Sequence, residues 1–258
     1  MEKTTLGIIR EGKEPPDRRV PLTPAHCKQL QRAYPNLEIL VQTSPIRGYT
    51  DDEYKSEGIT VQEDMTSCDV LMGVKEVPIK QLIAGKKYFF FSHTIKEQPY
   101  NKKLLQAVLH KNIQLIDYEC LTYPNGLRII GFGRYAGIVG AYNALLGYGK
   151  RMGLFELKPA HQCLDKAEMD AQLKNLPLGN VKIVITGMGR VAGGAMETLE
   201  AMGLTKVESS AYVMIPLIIL FTVSLAWWII MPIKKVSNCR ANTFLRIRKN
   251  TILRFIPI

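Results

Sequence analysis

Residues 69–119 decide the fold. Asp69-Val-Leu-Met-Gly-Val74 runs into Lys75-Glu76, Tyr88-Phe-Phe-Phe91 into Ser92-His93, and Ile113-Gln-Leu-Ile116 into Asp117-Tyr118-Glu119. The Tyr88–Phe91 run is solidly aromatic, too short for a helix and suited to a buried strand. Pro99–His110 lies between the second and third runs and reads as a helix, with Leu104, Leu105, Val108 and Leu109 as its apolar residues. Strand–helix–strand order at this spacing predicts a largely parallel sheet with covered faces. In such a sheet the strand ends share one edge, and ligands bind beyond it. A lysine, a histidine and two carboxylates are thereby expected at one edge.

Working outward, Thr4–Ile9 and Leu37–Val41 read as further strands, and Pro24–Ala33 as a helix entered through Thr23 as N-cap. Tyr135–Met152 reads as a long helix carrying Ala136, Gly137, Gly140, Ala141 and Ala144. Small residues permit close backbone approach, so this helix is expected against another element, as a link between two domains. After a polar stretch, Lys158–Asn180, a strand at Val181–Thr186 runs into Gly187-Met-Gly189-Arg-Val-Ala192. Glycine amides in a strand-to-helix turn can approach a pyrophosphate while the helix N-terminus supplies partial positive charge. The usual companion is an acid about 20 residues further on, and Glu208 is the one acid available there. The nucleotide motif is therefore half drawn. The expected architecture is α/β: a parallel-sheet substrate domain over 1–134, an incomplete Rossmann-type nucleotide domain over 135–207, and a hydrophobic helix with a basic tail over 208–258.

The chain has 258 residues, of which 47% are hydrophobic and 22% charged, with a net charge of +11. That composition excludes a disordered chain, and the length supports one large domain or two modest ones. Seven of the basic residues fall between Glu208 and Ile258 against a single acid, so the tail holds six of the eleven net charges. The remainder is too weakly basic for a nucleic-acid binder. Five scattered cysteines form no CxxC pair and no histidine stands at zinc-ligand spacing, so reduced thiols and no metal are expected. The N-terminus has no long apolar run and no secretory signal, which predicts a cytoplasmic body.

Ser209–Ile233 contains no charge, and 211–233 is long enough as a helix to cross a bilayer, with Trp227 and Trp228 near one end and Lys234-Lys235 following. One expectation is a membrane-spanning helix that makes the chain membrane-associated. The other is that 208–258 is a frame-shifted or mis-joined tail, not native to the body before it. Arg18-Arg19 offers guanidinium geometry for a carboxylate. Read singly, Lys75 is an ordinary solvated strand end, His93 a satisfied loop residue and the arginines a solvated pair; their joint position makes them candidates.

Those residues lie in stretches that resemble the lysine-forming saccharopine dehydrogenases and the lysine–ketoglutarate reductase half of the bifunctional lysine-degrading enzyme, within the alanine dehydrogenase and transhydrogenase superfamily. The stretches are Leu6–Glu11, Arg18–Pro24, Gly73–Pro78, Phe90–Lys96, Leu115–Glu119, Phe132–Gly137 and Val184–Arg190. The resemblance implies two α/β domains with the active site in the cleft between them. It also implies reversible condensation of lysine with 2-oxoglutarate, using NADH or NADPH, to give saccharopine. Lys75 and His93 match the family's acid–base pair, Arg19 its substrate-carboxylate arginine, and Glu119 an acid near the substrate amine, with Asp117 beside it. Gly187, Gly189, Arg190 and Ala192 match the nucleotide turn. Family members continue well beyond Val207, so the chain as written is expected to carry the catalytic residues yet turn over little. An alanine dehydrogenase-like or transhydrogenase-like relative, and a non-catalytic membrane-tethered amino-acid-binding module, are the alternatives.

Overall fold

The computed structural model describes residues 3–178, 181–204, 206–207, 219–223, 244–247 and 251–257, and the chain divides into two compact units, Met1–Gly131 and Phe132–Ile258. In the first unit β1 (Thr4–Ile8), α1 (Pro24–Ala33), β2 (Leu37–Gln42), α2 (Asp51–Ser56), β3 (Thr60–Gln62), β4 (Val70–Met72), β5 (Lys87–Phe90), α3 (Lys102–His110) and β6 (Gln114–Asp117) follow in order. The six strands form one sheet in the order β3-β2-β1-β4-β5-β6, and every pairing is parallel. The order reverses between β1 and β4. This is the position in an open α/β sheet where a crevice forms beyond the strand ends.

Local chemistry accounts for the elements. Thr23 caps α1 by accepting the His26 N–H, with Pro24 in the first turn. Thr50 and Glu53 form a reciprocal capping box at α2. Tyr88, Phe90 and Leu71 are fully buried, in one cluster with Leu104 and Val108 of α3; on the other side Ile8, Ile39 and Val41 pack with Cys27 and Tyr54. Both faces of the sheet are therefore covered, as a parallel sheet requires.

The second unit contains α4 (Gly133–Met152), α5 (Lys166–Leu173), β7 (Val181–Thr186), α6 (Arg190–Ala201), β8 (Lys206–Val207), β9 (Ile219–Val223), β10 (Phe244–Ile247) and β11 (Thr251–Pro257). Its described strands run β10-β11-β7-β9-β8. The pairs β7–β9 and β8–β9 are parallel, and β11 is antiparallel to both neighbours. The small residues of α4 meet α6. A Cβ at Gly137 would lie 1.9 Å from the Val191 carbonyl oxygen, and one at Gly194 would lie 1.9 Å from that of Arg134. Two helices can approach this closely only where neither carries a side chain.

The expected helix over 211–233 is corrected at the residues described. Ile219–Val223 is a strand, registered against Lys182–Thr186 of β7. An uncharged apolar run fits a buried strand as well as a helix, and Ile219-Leu-Phe-Thr-Val223 is rich in the β-branched and aromatic types that favour strands. The rest of 211–233, and Glu208, lie outside the described residues. Among the described residues no helix is long and apolar enough to cross a membrane.

The helix contact gives a graded test by urea unfolding. Gly137→Ala and Gly194→Ala should each destabilise by about 1–3 kcal/mol through overpacking. Gly193→Ala, whose Cβ would meet nothing within 4 Å, should instead stabilise by up to about 1 kcal/mol through helix propensity.

Candidate active site

Beyond the strand ends of the first unit, a set of charged side chains converges around β4. Glu11, three residues past β1, turns its carboxylate onto the end of β4 and accepts the backbone N–H groups of Val74 at 2.7 Å and Lys75 at 2.8 Å. Lys75 is thus set in place through its own backbone. Burial pushes the Glu11 carboxyl above its usual range, against the lowering effect of those two N–H donors.

Glu76 is the hub. Its Oε1 lies 2.5 Å from His93 Nδ1 and its Oε2 accepts from Lys13 Nζ at 2.6 Å. Burial alone would raise the Glu76 carboxyl, but the hydrogen bonds from Lys13 and His93 outweigh it and hold the group below its ordinary value. With Nδ1 held, Nε2 is the ring nitrogen that His93 has for other work. The His93 backbone is left-handed, with φ of 57°, and its ring stacks on Phe91 at 6.4 Å.

Burial and the neighbouring Arg19 charge hold the Lys75 amine below the usual lysine value, with Lys13 adding to the effect and Glu76 and Asp17 opposing it. Arg19 donates from Nε and Nη2 to both oxygens of Asp17, at 2.9, 3.2 and 2.5 Å. Burial raises the Asp17 carboxyl, but bonding to Arg19 outweighs it and leaves the group low. Arg18 is drawn elsewhere, its Nε donating to the Ile46 carbonyl.

At the end of β6 the two acids part company. Asp117 faces inward: Oδ2 accepts from the Ser92 hydroxyl and Oδ1 accepts the Glu119 N–H at 2.8 Å. Asp117 therefore braces the ends of β5 and β6 and has both oxygens engaged within the protein. Glu119 is 4% exposed in its side chain; Oε1 meets Lys96 at 3.2 Å and Arg128 at 3.1 Å, while buried Oε2 has no hydrogen-bond partner among the described residues. A buried carboxylate oxygen left without a donor is costly, and a cationic ligand group would satisfy it.

In the second unit Gly187 has φ of 99°, and Gly189 is the N-cap of α6. A Cβ at Gly189 would meet nothing within 4 Å, so a side chain there would project into the space before the helix N-terminus. These residues fit the pyrophosphate end of a dinucleotide. Arg190 is exposed in the first turn of α6, whereas Ala192 is buried as a packing residue. Among the described residues no group of three His, Cys, Asp or Glu side chains is placed to hold a metal ion.

The residues that spacing alone did not single out are Glu11, Lys13, Asp17, Lys96 and Arg128. Glu76 stood beside Lys75 in the strand-end pattern, but its partnership with His93 depends on neighbouring strands and has no fixed spacing in the chain.

A six-stranded parallel sheet with its charged residues at one edge defines an α/β domain of the open-sheet class, and the chain belongs to the alanine dehydrogenase/PNT N-terminal domain family, whose model matches residues 7–139. Among its relatives is the mitochondrial alpha-aminoadipic semialdehyde synthase of Mus musculus, 35% identical over an alignment of 224 positions that covers 80% of this chain and 24% of that protein. Saccharopine dehydrogenase [NAD(+), L-lysine-forming] of Yarrowia lipolytica is 27% identical over an alignment of 213 positions that covers 76% of this chain and 57% of that protein. The chain thus spans about a quarter of the first relative's length. The fold is shared with a solved L-alanine dehydrogenase at a TM-score of 0.57 and 16% identity, over 85% of this chain and 61% of that one.

Glu76 carries a pH signature. Its folded value is depressed, so the stability it contributes is present above the unfolded value and lost as pH falls through the folded one. Urea midpoints between pH 3.5 and 7 should therefore drop below about pH 4.5 in the parent and drop less steeply in Glu76→Gln.

Proposed function

We propose that the first unit is the substrate and acid–base half of an oxidoreductase acting on CH–NH bonds, forming saccharopine reversibly from lysine and 2-oxoglutarate with NADH or NADPH. The observation that carries this reading is the meeting of Lys75, Glu76, His93 and Arg19 at the sheet's switch point. The name of one relative, saccharopine dehydrogenase [NAD(+), L-lysine-forming], supports lysine and saccharopine as the substrate class.

The geometry supports the following assignment of roles. In the forward direction the lysine ε-amine adds to the ketone carbon of 2-oxoglutarate. One proton passes from that nitrogen to the carbinolamine oxygen, a second reaches the same oxygen, and water departs to leave a protonated imine. Lys75, its proton affinity lowered by burial and Arg19, is suited to accept the first proton. His93, with Nδ1 on Glu76, presents Nε2 to deliver the second. Arg19 is suited to receive a substrate carboxylate, and Glu119 to supply negative charge near a substrate ammonium. A bound NAD(P)H supplies the hydride that reduces the imine carbon. Gly187, Gly189 and the N-terminus of α6 would hold its pyrophosphate, with Arg190 nearby.

Calorimetric titration with 2-oxoglutarate and with saccharopine tests this reading. Both should bind, and Arg19→Met should weaken each by about tenfold or more, as loss of a bidentate guanidinium contact does. His93→Asn should leave 2-oxoglutarate binding close to the parent's and lower any NADH oxidation seen with lysine and 2-oxoglutarate. Failure of both compounds to bind would overturn the reading. NADH oxidation with pyruvate and ammonia in their place would favour the alanine dehydrogenase-like alternative.

A further inference from the structure

Glu76 has two oxygens and three cationic claimants: Lys13, His93 and its own neighbour Lys75. The structure gives Oε2 to Lys13 and Oε1 to His93, and no ion pair of Lys75 is present among the described residues. Lys13 reaches this position from the segment after β1, the same segment that fixes the Lys75 backbone through Glu11 and supplies the Asp17–Arg19 pair. The Lys13 side chain is 32% exposed and that of Glu76 10%, so the pair is shielded in a way that fully exposed ion pairs are not.

We infer that Lys13 is a positioning residue: by occupying one oxygen of Glu76 it reserves the other for His93 and keeps Glu76 from closing an ion pair with Lys75. The inference rests on the proposed function only for its catalytic meaning; the allocation of Glu76 is a statement about this cluster by itself. Without Lys13, Oε2 of Glu76 loses the donor that holds it, and Lys75, the next residue in the chain, is a cation that already feels the Glu76 charge. Closing that pair would favour the charged form of Lys75 and withdraw it as a base. The charges acting on Lys75 are Arg19 and Lys13, which disfavour its ammonium, and Glu76 and Asp17, which favour it. Removing Lys13 deletes one disfavouring charge and frees one favouring charge, so both effects have the same sign.

The test follows the 13Cε resonance of Lys75 against pH in [13C]lysine-labelled full chain, assigned by its loss in Lys75→Met. Lys13→Met should move the Lys75 titration midpoint upward by about half to one pH unit, the size expected for a neighbouring charge in a partly shielded site. Lys13→Arg should restore the parental midpoint, which a packing role for the lysine stem would not require. If Lys13→Met does not fold, Lys13→Gln makes the same comparison. A midpoint in the methionine or glutamine variant equal to the parent's, or lower, would overturn the inference. The readout needs no substrate. Failure of 2-oxoglutarate and saccharopine to bind any variant would therefore count against the proposed function and leave the Lys13 result standing.

Discussion

The carboxylate of Glu11 ties the segment that follows β1 to the end of β4. It lies where the strand order reverses, and it accepts the N–H groups of two consecutive residues just past the end of β4. A side chain here does what a neighbouring strand would otherwise do. Because Lys75 is one of the two donors, its place depends on a residue 64 positions earlier. The charged groups that Lys75 meets then arrive with the same segment: Lys13 two residues on and the Asp17–Arg19 pair a few residues later. The cost of holding Glu11 ionised in a shielded place is visible in its raised proton affinity.

Much of the first unit was legible in the sequence because its signals are local. The aromatic run at Tyr88–Phe91, the proline and threonine before α1, and the apolar spacing of α3 each depend on residues within one turn or one strand. The order of strands and helices then forces a parallel sheet and brings its polar ends to one edge. Two short elements escaped, α2 and β3, although Thr50 and Glu53 form a capping box that marks the start of α2. α5 escaped as well, inside the polar stretch after α4, where a helix of eight residues has too little apolar face to stand out.

The contacts within the site were less legible. Strand-end position brought Lys75, His93 and Glu119 to the same edge, but whether a carboxylate there faces outward or braces the fold is decided by its partners. Asp117 and Glu119 are two residues apart and looked equivalent; one binds Ser92 and a backbone N–H, while the other keeps an oxygen without a donor. In the second unit the small residues of α4 announced a close contact without naming the other party. α6 became identifiable once Gly137 and Gly194 were seen to face the opposing backbone. The uncharged run after Ser209 was misread at Ile219–Val223 because hydropathy reports burial and says little about whether the buried backbone is helical or extended.

The left-handed backbone at His93 has a consequence for how that position can vary. Most side chains reach this conformation only at a cost of roughly 1–2 kcal/mol, whereas glycine adopts it freely and asparagine, aspartate and histidine are enriched in it. A valine or isoleucine at 93 would remove the ring and also oppose the turn, and the two losses would be inseparable in any survey of variants. Asparagine alters the chemistry and leaves the turn in place, which makes it the substitution whose effect can be assigned to the ring alone.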